Sequence, residues 1–375
     1  MEKLRMAIIG TGGMGSAHAG FVQNIEEVKL CAVSDARPDA AGKLGEKYSI
    51  PAYGDYREML KNEKPDFVLI AVPHPAHMKV ALDAFAAGAH VLCEKPLASN
   101  LIEADRIVEA ADKRGKLLGV MFQQRTEPAK RKLHEIVNSG MLGELTRVTM
   151  VSSCYRSQAY YNSGAWRGSW AGEGGGVLLN QAPHDLDQFI WIGGVPVEVQ
   201  GFVETTPLHD IEVEDSATAL VKYANGARGS IHVSTVEHPS TYHFEICGDR
   251  GKAVFDGAAI KLWLVQPGIS EFTRTSAIGW SFPEVTEQAV EIPAQPPAAG
   301  ATPLTTHAVL TRDFANAIME NRQPLAPGRE GLWSLELANA IIYSSHRKKP
   351  VSLPLSRQGY NRFFKDKCKT SRYKG

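Results

Sequence analysis

A charged pair, Glu94 and Lys95, stands where the sequence would otherwise place a turn. The preceding residues, 89–93, are apolar except for His90 and have the composition of a strand buried on both faces, and Pro96 ends that strand. In parallel sheets, ligands bind at the carboxyl ends of the strands. Lys95 is therefore a candidate to hold an ammonium group against a bound ligand.

A second group of polar residues follows the three glycines 174–176. Asn180, His184 and Asp187 are spaced by four and three residues, and on a helix these intervals place all three on nearly one face. Pro183 is tolerated if Asn180 lies near the N-cap, because the amides of a first turn lack helical partners. A histidine in such a helix is more often structural, so this motif alone does not predict catalysis.

A glycine-rich turn near the N-terminus indicates a negatively charged ligand. Gly10, Gly12 and Gly15 follow the apolar residues 4–9 and lead into a helix-like stretch. Gly10 permits a tight turn, Gly12 lets a pyrophosphate approach the backbone, and Gly15 allows the helix to pack closely on the strand. The helix N-terminus then faces the phosphates. The pattern predicts a dinucleotide site.

Asp35 ends the second predicted strand, twenty residues after Gly15. At this position its carboxylate would accept hydrogen bonds from the adenosine ribose hydroxyls and would repel a 2′-phosphate. NAD is therefore the predicted cofactor. Arg37 could instead bind that phosphate, which leaves NADP as the alternative.

The first 124 residues alternate between strand and helix patterns. The predicted strands are 4–9, 28–35, 66–73, 89–93 and 116–122. Asn100 and Glu103 form a plausible capping box for one of the intervening helices. This alternation predicts a doubly wound parallel sheet. Pro73 and His74 follow its third strand, where His74 would approach the nicotinamide; His74 and His77 lack an evident third ligand, so no metal site is predicted.

The remainder of the chain, 125–375, has a different pattern. Residues 143–156, 217–237 and 242–265 alternate apolar and polar side chains, with a turn at Asn225-Gly226. They predict a large open, mainly antiparallel sheet with one face on helices and the other free for a partner subunit. Residues 291–304 read as a loop, and 307–322 and 331–349 as helices. The predicted domains are thus a cofactor-binding domain, 1–124, and a substrate-binding and oligomerisation domain, 125–375. Packing of the C-terminal segment back on the first domain is an open alternative.

Taken together, these motifs resemble the glucose–fructose oxidoreductase/inositol dehydrogenase (Gfo/Idh/MocA) family over nearly the whole chain. The resemblance implies a Rossmann domain followed by an α+β domain whose open sheet commonly forms a homodimer or tetramer interface. Lys95 matches the family's catalytic lysine, and the peptide bond before Pro96 is implied to be cis. His184 matches the family's acid/base histidine, whose ordinary pKa near 6.5 suits proton transfer at neutral pH.

The implied function is hydride transfer between NAD and a secondary hydroxyl of a sugar, glycoside or cyclic polyol. Lys95 would stabilise the developing alkoxide while His184 removes the hydroxyl proton. The family often has Asp where this chain has Asn180, which carries no charge; related branches include enzymes that oxidise sugar C3. Two alternatives stay open: a redox-neutral, NAD-dependent glycosidase or lyase, and a regulator that senses NAD(P) without turnover.

Aromatic and basic residues lie just before the glycine run. Tyr160, Trp166 and Arg167 suit a pyranose ring and its polar substituents, although the tryptophans, including Trp170, could equally anchor a loop. The predicted substrate-binding residues are Asn180, Asp187, Gln123, Arg125, Tyr160, Trp166 and Arg167. The predicted cofactor-binding residues are Gly10, Gly12, Gly13, Met14, Gly15, Asp35, Arg37, Pro73, His74, His77, Glu94 and Lys95.

Composition excludes several other classes of function. Lys plus Arg and Asp plus Glu both total 41, so no overall field favours nucleic acid or an acidic membrane. No stretch has the length of a membrane span, and the first residues lack a signal-peptide core. Five scattered cysteines without a CxxC pair predict reduced thiols and a cytoplasmic protein. The basic C-terminal run reads as a solvated or packed tail.

Overall fold

The structure, a computed structural model, describes residues 3–293 and 304–373. Most of the loop predicted at 291–304 lies outside the described residues. The strands are β1 Leu4–Ile9, β2 Val28–Ser34, β3 Ala52–Tyr53, β4 Phe67–Ile70, β5 His90–Cys93, β6 Leu118–Val120, β7 Leu145–Ser153, β8 Glu198–Glu204, β9 Ser216–Lys222, β10 Arg228–Ser234, β11 Tyr242–Gly248, β12 Gly251–Phe255, β13 Ile260–Gln266, β14 Glu284–Ala289 and β15 Val351–Ser352.

Helices cover both sheets. They are α1 Gly13–Phe21, α2 Pro38–Tyr48, α3 Tyr56–Glu63, α4 His77–Ala86, α5 Leu101–Arg114, α6 Pro128–Asn138, α7 Gln158–Tyr161, α8 Trp170–Glu173, α9 Val177–Asn180, α10 Pro183–Gly193, α11 Ile269–Thr275, α12 Thr306–Glu320, α13 Gly328–Arg347 and α14 Arg357–Lys369. In the described ranges, none of these helices is both long and apolar enough to cross a membrane.

The first sheet is parallel, with the strand order β3-β2-β1-β4-β5-β6. All four residues of β4 are buried, as expected for a sheet that has helices on both faces. The strand order reverses between β1 and β4, and ligands of such sheets bind beside this switch point. The predicted doubly wound fold is confirmed. The two-residue strand β3 was not predicted, because so short a segment has no readable period.

The second sheet has the order β14-β13-β12-β11-β7-β10-β9-β8-β15. Its ladders are antiparallel except for β7 against β10, which are parallel. In β9, exposed and buried residues alternate, as in a sheet with one covered face. Helices α10 and α13 lie on the covered side. The open, mainly antiparallel sheet is therefore confirmed.

The C-terminal helices pack back on the first domain. Phe314 of α12 contacts Phe67 of β4, with ring centroids 5.6 Å apart. Arg357, at the start of α14, donates from Nε to Asp105 of α5 at 3.0 Å. The basic C-terminal run is thus largely a packed helix, with Tyr360 and Phe364 buried.

A buried ion pair fixes the segment that follows β6 to helix α10. Arg125 is 1% exposed and Asp187 is 2% exposed; Arg125 Nη2 and Nε donate to the two Asp187 carboxylate oxygens at 2.6 and 2.9 Å. Arg125 also pairs with Glu330 and donates from Nη1 to the Leu325 carbonyl at 3.1 Å. Both Arg125 and Asp187 were predicted to contact substrate. The structure corrects this, because their polar atoms are engaged in the interior with each other.

We expect Asp187→Asn to lower the free energy of unfolding by about 3–5 kcal/mol, because it leaves part of the buried Arg125 charge without its partner. Asp112→Asn is the matched control: Asp112 pairs with Arg329 at 2.6 Å on the surface, where such a pair contributes about 0–1 kcal/mol. Urea unfolding of both variants checks the prediction. Equal losses in the two variants would contradict it.

Candidate active site

Lys95 lies at the carboxyl end of β5 and reaches toward the second domain. Its Nζ donates to the backbone carbonyl of Asn180 at 2.7 Å, and the peptide bond to Pro96 is cis, as the family resemblance implied. Burial lowers the pKa of Lys95 below its ordinary value, while the nearby carboxylates of Glu94 and Glu173 act in the opposite direction. The side chain therefore links the carboxyl end of the parallel sheet to helix α9.

Glu94 turns the other way, toward α1. Its Oε1 lies 2.7 Å from His18 Nε2, and its Oε2 accepts from the Lys95 amide at 3.2 Å. Burial would raise the pKa of Glu94, but the hydrogen bond and charge of His18 and the charge of Lys95 outweigh it and lower the pKa to about 2. The strand thus ends in an ionised carboxylate fixed to the glycine-loop helix. His18 carried no recognisable signal in the sequence.

The predicted single helix through Asn180, His184 and Asp187 is wrong. Asn180 is the last residue of α9, and Pro183 begins a separate helix, α10. Proline supplies no backbone N–H and fits the first turn of a helix, so the chain restarts there. Asp187 lies on α10 with His184 but pairs with Arg125, whereas Asn180 and His184 stay near Lys95.

The glycine run 174–176 lets this segment pack against backbone. Gly174 has φ +88°, and a Cβ there would lie 2.8 Å from the Ser99 carbonyl oxygen. A Cβ on Gly176 would lie 1.8 Å from the carbonyl oxygen of Glu214. The Glu214 side chain accepts from the amides of Gly176 and Leu178 at 2.8 and 3.2 Å, which fixes the start of α9.

His184 is half-buried at the start of α10. Its Nε2 lies 3.4 Å from the side-chain amide of Gln123, and its ring meets the Phe122 ring edge-on with centroids 6.1 Å apart. Burial and then the charge of Lys95 lower the pKa of His184 well below its ordinary value. The imidazole is therefore neutral at physiological pH and can accept a proton.

The aromatic segment divides into lining and anchoring residues. The Arg167 guanidinium lies 4.3 Å from the ring centroid of Tyr160 and 4.4 Å from that of Trp166, and its Nη1 donates to the Tyr160 hydroxyl at 2.6 Å. These three side chains are partly exposed beside Asn180. Trp170 is instead buried against Phe363 and anchors the loop.

Glu173 is a site residue that the sequence analysis did not identify. It is 1% exposed, and its carboxylate accepts hydrogen bonds from the Gly168 amide at 2.6 Å and from the side-chain amide of Asn180. Burial raises its pKa to about 7, against the Gly168 and Asn180 hydrogen bonds and the charges of Arg167 and Lys95. Its position immediately before the glycine run is evident in the sequence. Its burial, however, depends on tertiary packing.

The glycine loop after β1 fits a dinucleotide pyrophosphate. Gly10 has φ +95°, and a Cβ on Gly15 would lie 1.8 Å from the Gly10 carbonyl oxygen, so both are required by the turn and its packing. A Cβ on Gly12 or Gly13 would meet no atom within 4 Å. No side chain caps the N-terminus of α1, which begins here with Gly13 and the partly exposed Met14. Its amides and the open space suit a phosphate group.

Asp35 is held ionised beside this loop. Its Oδ2 accepts from the Thr11 amide at 2.8 Å, and its Oδ1 accepts from the Arg37 amide at 2.9 Å and Nε at 3.2 Å. Burial acts to raise the pKa of Asp35, but the hydrogen bonds of Arg37 and Thr11 lower it below its ordinary value. A carboxylate at the end of β2 repels a 2′-phosphate. Arg37 is itself paired with this carboxylate.

The two histidines after β4 are packed into the structure. His77 is fully buried, and its two ring nitrogens lie 3.0 and 2.9 Å from the carbonyl oxygens of Pro96 and Val72. The predicted cofactor contact of His77 is therefore corrected to a structural role. His74 Nδ1 lies 3.0 Å from the Glu173 carbonyl, and burial and then the charge of His77 lower its pKa to about 3. Pro73 beside it is exposed. Within residues 3–293 and 304–373, no three His, Cys, Asp or Glu side chains are arranged for a metal ion.

Comparisons with known proteins agree with this architecture. Residues 4–122 match the oxidoreductase family with an NAD-binding Rossmann fold, and residues 131–254 match the Gfo/Idh/MocA C-terminal domain. The chain is 30% identical to the inositol 2-dehydrogenase of Rubrobacter xylanophilus over 67% of its own length and 70% of the relative. It is 29% identical to the D-glucoside 3-dehydrogenase of Escherichia coli, over 68% and 78% of the two chains.

Among solved structures, the WlbA dehydrogenase of Chromobacterium violaceum, in complex with NADH and UDP-GlcNAcA, is 28% identical to this chain. It superposes with a TM-score of 0.80 over 95% of this chain and 97% of its own. The protein therefore belongs to the Gfo/Idh/MocA family of oxidoreductases and carries that family's NAD-binding Rossmann domain.

Proposed function

We propose that this NAD-binding oxidoreductase of sugars or polyols oxidises a secondary hydroxyl group of a sugar, glycoside or cyclic polyol. The observation that carries the proposal is the meeting of Lys95, from the carboxyl end of β5, with Asn180 and His184 from the second domain. A neutral imidazole can accept a hydroxyl proton, and an ammonium group can stabilise the negative charge that then develops on the oxygen. The glucoside 3-dehydrogenase relative supports oxidation at sugar C3.

The two side chains would have complementary roles. His184, neutral because its pKa lies well below the ordinary value, would accept the hydroxyl proton. Lys95 would stabilise the negative charge that then develops on the substrate oxygen. NAD, when bound, supplies the acceptor for the hydride. Gln123, 3.4 Å from His184, would orient the imidazole.

Substrate contacts are proposed for the partly exposed residues next to Asn180. Tyr160 and Trp166 offer aromatic faces to the C–H faces of a pyranose, and Arg167 lies across both rings. Arg167 donates to hydroxyls or to an acidic substituent. UDP-GlcNAcA, present in the WlbA structure, is a precedent for an acidic sugar bound by a related protein.

We expect Lys95→Ala to reduce kcat by about 10²–10³-fold, because the charge opposite the substrate oxygen is lost. The measurement is NADH absorbance during incubation with NAD and a panel of inositols, free sugars, neutral glycosides and uronic acids. Lys113→Ala, an exposed lysine on α5, should leave turnover unchanged. Near-normal turnover in Lys95→Ala would contradict the proposed role of Lys95.

The same assay separates the alternatives. Accumulating NADH supports a dehydrogenase, whereas product without net NADH indicates a redox-neutral glycosidase or lyase. Cofactor binding without turnover, in either direction and across the panel, indicates a sensor.

NAD is proposed over NADP because Asp35 is ionised at the end of β2. We expect Asp35→Ser to weaken NADH binding by about 10–100-fold, the value of one or two charge-assisted hydrogen bonds, and to improve NADPH binding. Asp39→Asn removes the same charge from an exposed position four residues on and should change neither affinity. Fluorescence titration with both reduced cofactors checks this; unchanged preference in Asp35→Ser would refute it.

A homo-oligomer formed through the open sheet is also proposed. Phe202 of β8 and Leu220 of β9 are 59% and 57% exposed and lie on the face opposite α13. Replacing both with Glu should convert the oligomer to monomers, while Leu208→Glu, outside the strands, should not. Light scattering after gel filtration measures the mass. A monomeric wild-type protein would contradict this proposal.

A further inference from the structure

Glu173 is a buried carboxyl group beside the active site that the proposed reaction does not use. It ends α8, and its Oε2 accepts from the Gly168 amide at 2.6 Å. Its Oε1 accepts from Nδ2 of Asn180. A buried carboxyl that is hydrogen-bonded to a site residue controls how that residue is presented.

Asn180 is held at three points. Its Nδ2 donates to Glu173, its Oδ1 accepts from the Tyr160 hydroxyl at 3.3 Å, and its backbone carbonyl accepts from Lys95 Nζ at 2.7 Å. A side-chain amide has its donors at one end and its acceptor at the other. An ionised Glu173 can only accept, so it fixes the amide with Oδ1 toward Tyr160.

Protonation of Glu173 would remove this constraint. A carboxylic acid can donate as well as accept, so the amide is no longer held in one orientation; if Glu173 donates to Asn180 Oδ1, the amide turns and gives up the bond from Tyr160. Burial raises the pKa of Glu173 to about 7, so both states are populated near neutral pH. The titratable and charged groups that face Glu173 are Lys95, His74, Tyr160, Tyr161, Arg167 and Glu214.

The Glu173 carboxylate also favours the charged form of Lys95. Lys95 Nζ donates to a neutral carbonyl, and the negative groups that favour its charged form are Glu94 and Glu173. Glu94 is already bonded to His18. Asn180 itself contributes no charge. On the second-domain side, Glu173 favours the ammonium form, and Asp185, whose pKa burial raises to about 6, also interacts with the Lys95 charge.

We propose that Glu173 is a positioning residue of this active site: its ionised carboxylate orients the side-chain amide of Asn180 beside Lys95, and its negative charge favours the ammonium form of Lys95. The inference rests on the proposed oxidoreductase function for its kinetic consequence. Its structural consequence, a change in Lys95, is measurable without turnover.

The kinetic test uses Glu173→Gln, Asn180→Asp and the double variant, which exchanges the carboxylate and the amide. We expect Glu173→Gln to lower kcat on the order of 10–100-fold, as misplacement of a reacting group does, with less change in KM. The wild-type kcat should rise with pH through about 7, as Glu173 ionises. This step should be absent in Glu173→Gln.

Asn180→Asp should be at least as impaired, because two carboxyl groups in contact cannot both ionise freely. The double variant restores one carboxylate and one amide, so it should recover about tenfold in kcat over Asn180→Asp, the scale of coupling between residues in contact. A double variant no better than the product of the two single effects would overturn the proposal. So would a Glu173→Gln enzyme that keeps the wild-type step near pH 7.

The second readout is the acylation of Lys95. The folded protein is treated with acetic anhydride, and mass spectrometry then measures the extent of modification at Lys95. Removing the Glu173 charge should lower the pKa of Lys95 and speed its acylation on the order of tenfold. Asn180→Asp should slow it. Glu214→Gln is the comparison variant: Glu214 is similarly buried and has a pKa that burial also raises to about 7, but it accepts from the amides of Gly176 and Leu178 and not from the Asn180 side chain, so it should change Lys95 acylation less than Glu173→Gln does.

Failure of the proposed oxidoreductase function and failure of the inference about Glu173 give different results. If the wild-type protein turns over no substrate, the proposed function is overturned, and the acylation rates alone decide the role of Glu173. Equal Lys95 acylation in wild type, Glu173→Gln and Glu214→Gln would overturn the inference in that case.

Discussion

The hydrogen bond from Lys95 Nζ to the Asn180 carbonyl is the interaction on which the rest of the site depends. A half-buried ammonium group needs acceptors, and the parallel sheet that carries Lys95 offers it few at this edge. The second domain supplies one through the backbone of a four-residue helix. That helix reaches its place because Gly174 and Gly176 approach the backbone of Ser99 and Glu214 more closely than any side chain would allow. The hydrogen bond of Lys95 thus depends on the close backbone packing that the glycine run allows.

The two carboxyl groups beside Lys95 differ in charge state for a physical reason. Glu94 has the His18 ring at 2.7 Å and a pKa lowered to about 2, whereas the nearest cation to Glu173 that forms an ion pair is Arg167, at 3.8 Å. Amide donors alone do not offset the burial of Glu173, so its pKa stays near 7. Near neutral pH, Glu94 therefore stays ionised, while Glu173 titrates on the second-domain side of Lys95.

Much of the fold was predictable from the sequence because it depends on local patterns of apolar residues, glycines and helix caps. The buried runs of β1, β4 and β5 and the alternation of β9 and β10 follow from strand periodicity, and the cap of α5 follows from Asn100, whose side chain accepts from the Glu103 amide at 3.2 Å. The close packing of Gly15 on Gly10 was also readable from spacing. Errors arose where partners come from distant segments. Asp187 has helical spacing from His184 but is bonded to Arg125, and His77 looked available but is buried between two carbonyl groups. No local pattern marks Glu173, because its environment is assembled from separate loops.

Helix α13 has a consequence for how the molecule is built. Its twenty residues pack on β8 in the second domain and also on α5 and β6 in the first. Each sheet therefore completes its core with the same helix, and neither domain retains a full hydrophobic interior when the other is removed. The two sheets are therefore packed against one common helix, α13, and are not two independent modules joined by a linker. Excision of either half would expose an apolar face of α13, which couples the stability of each half to the other.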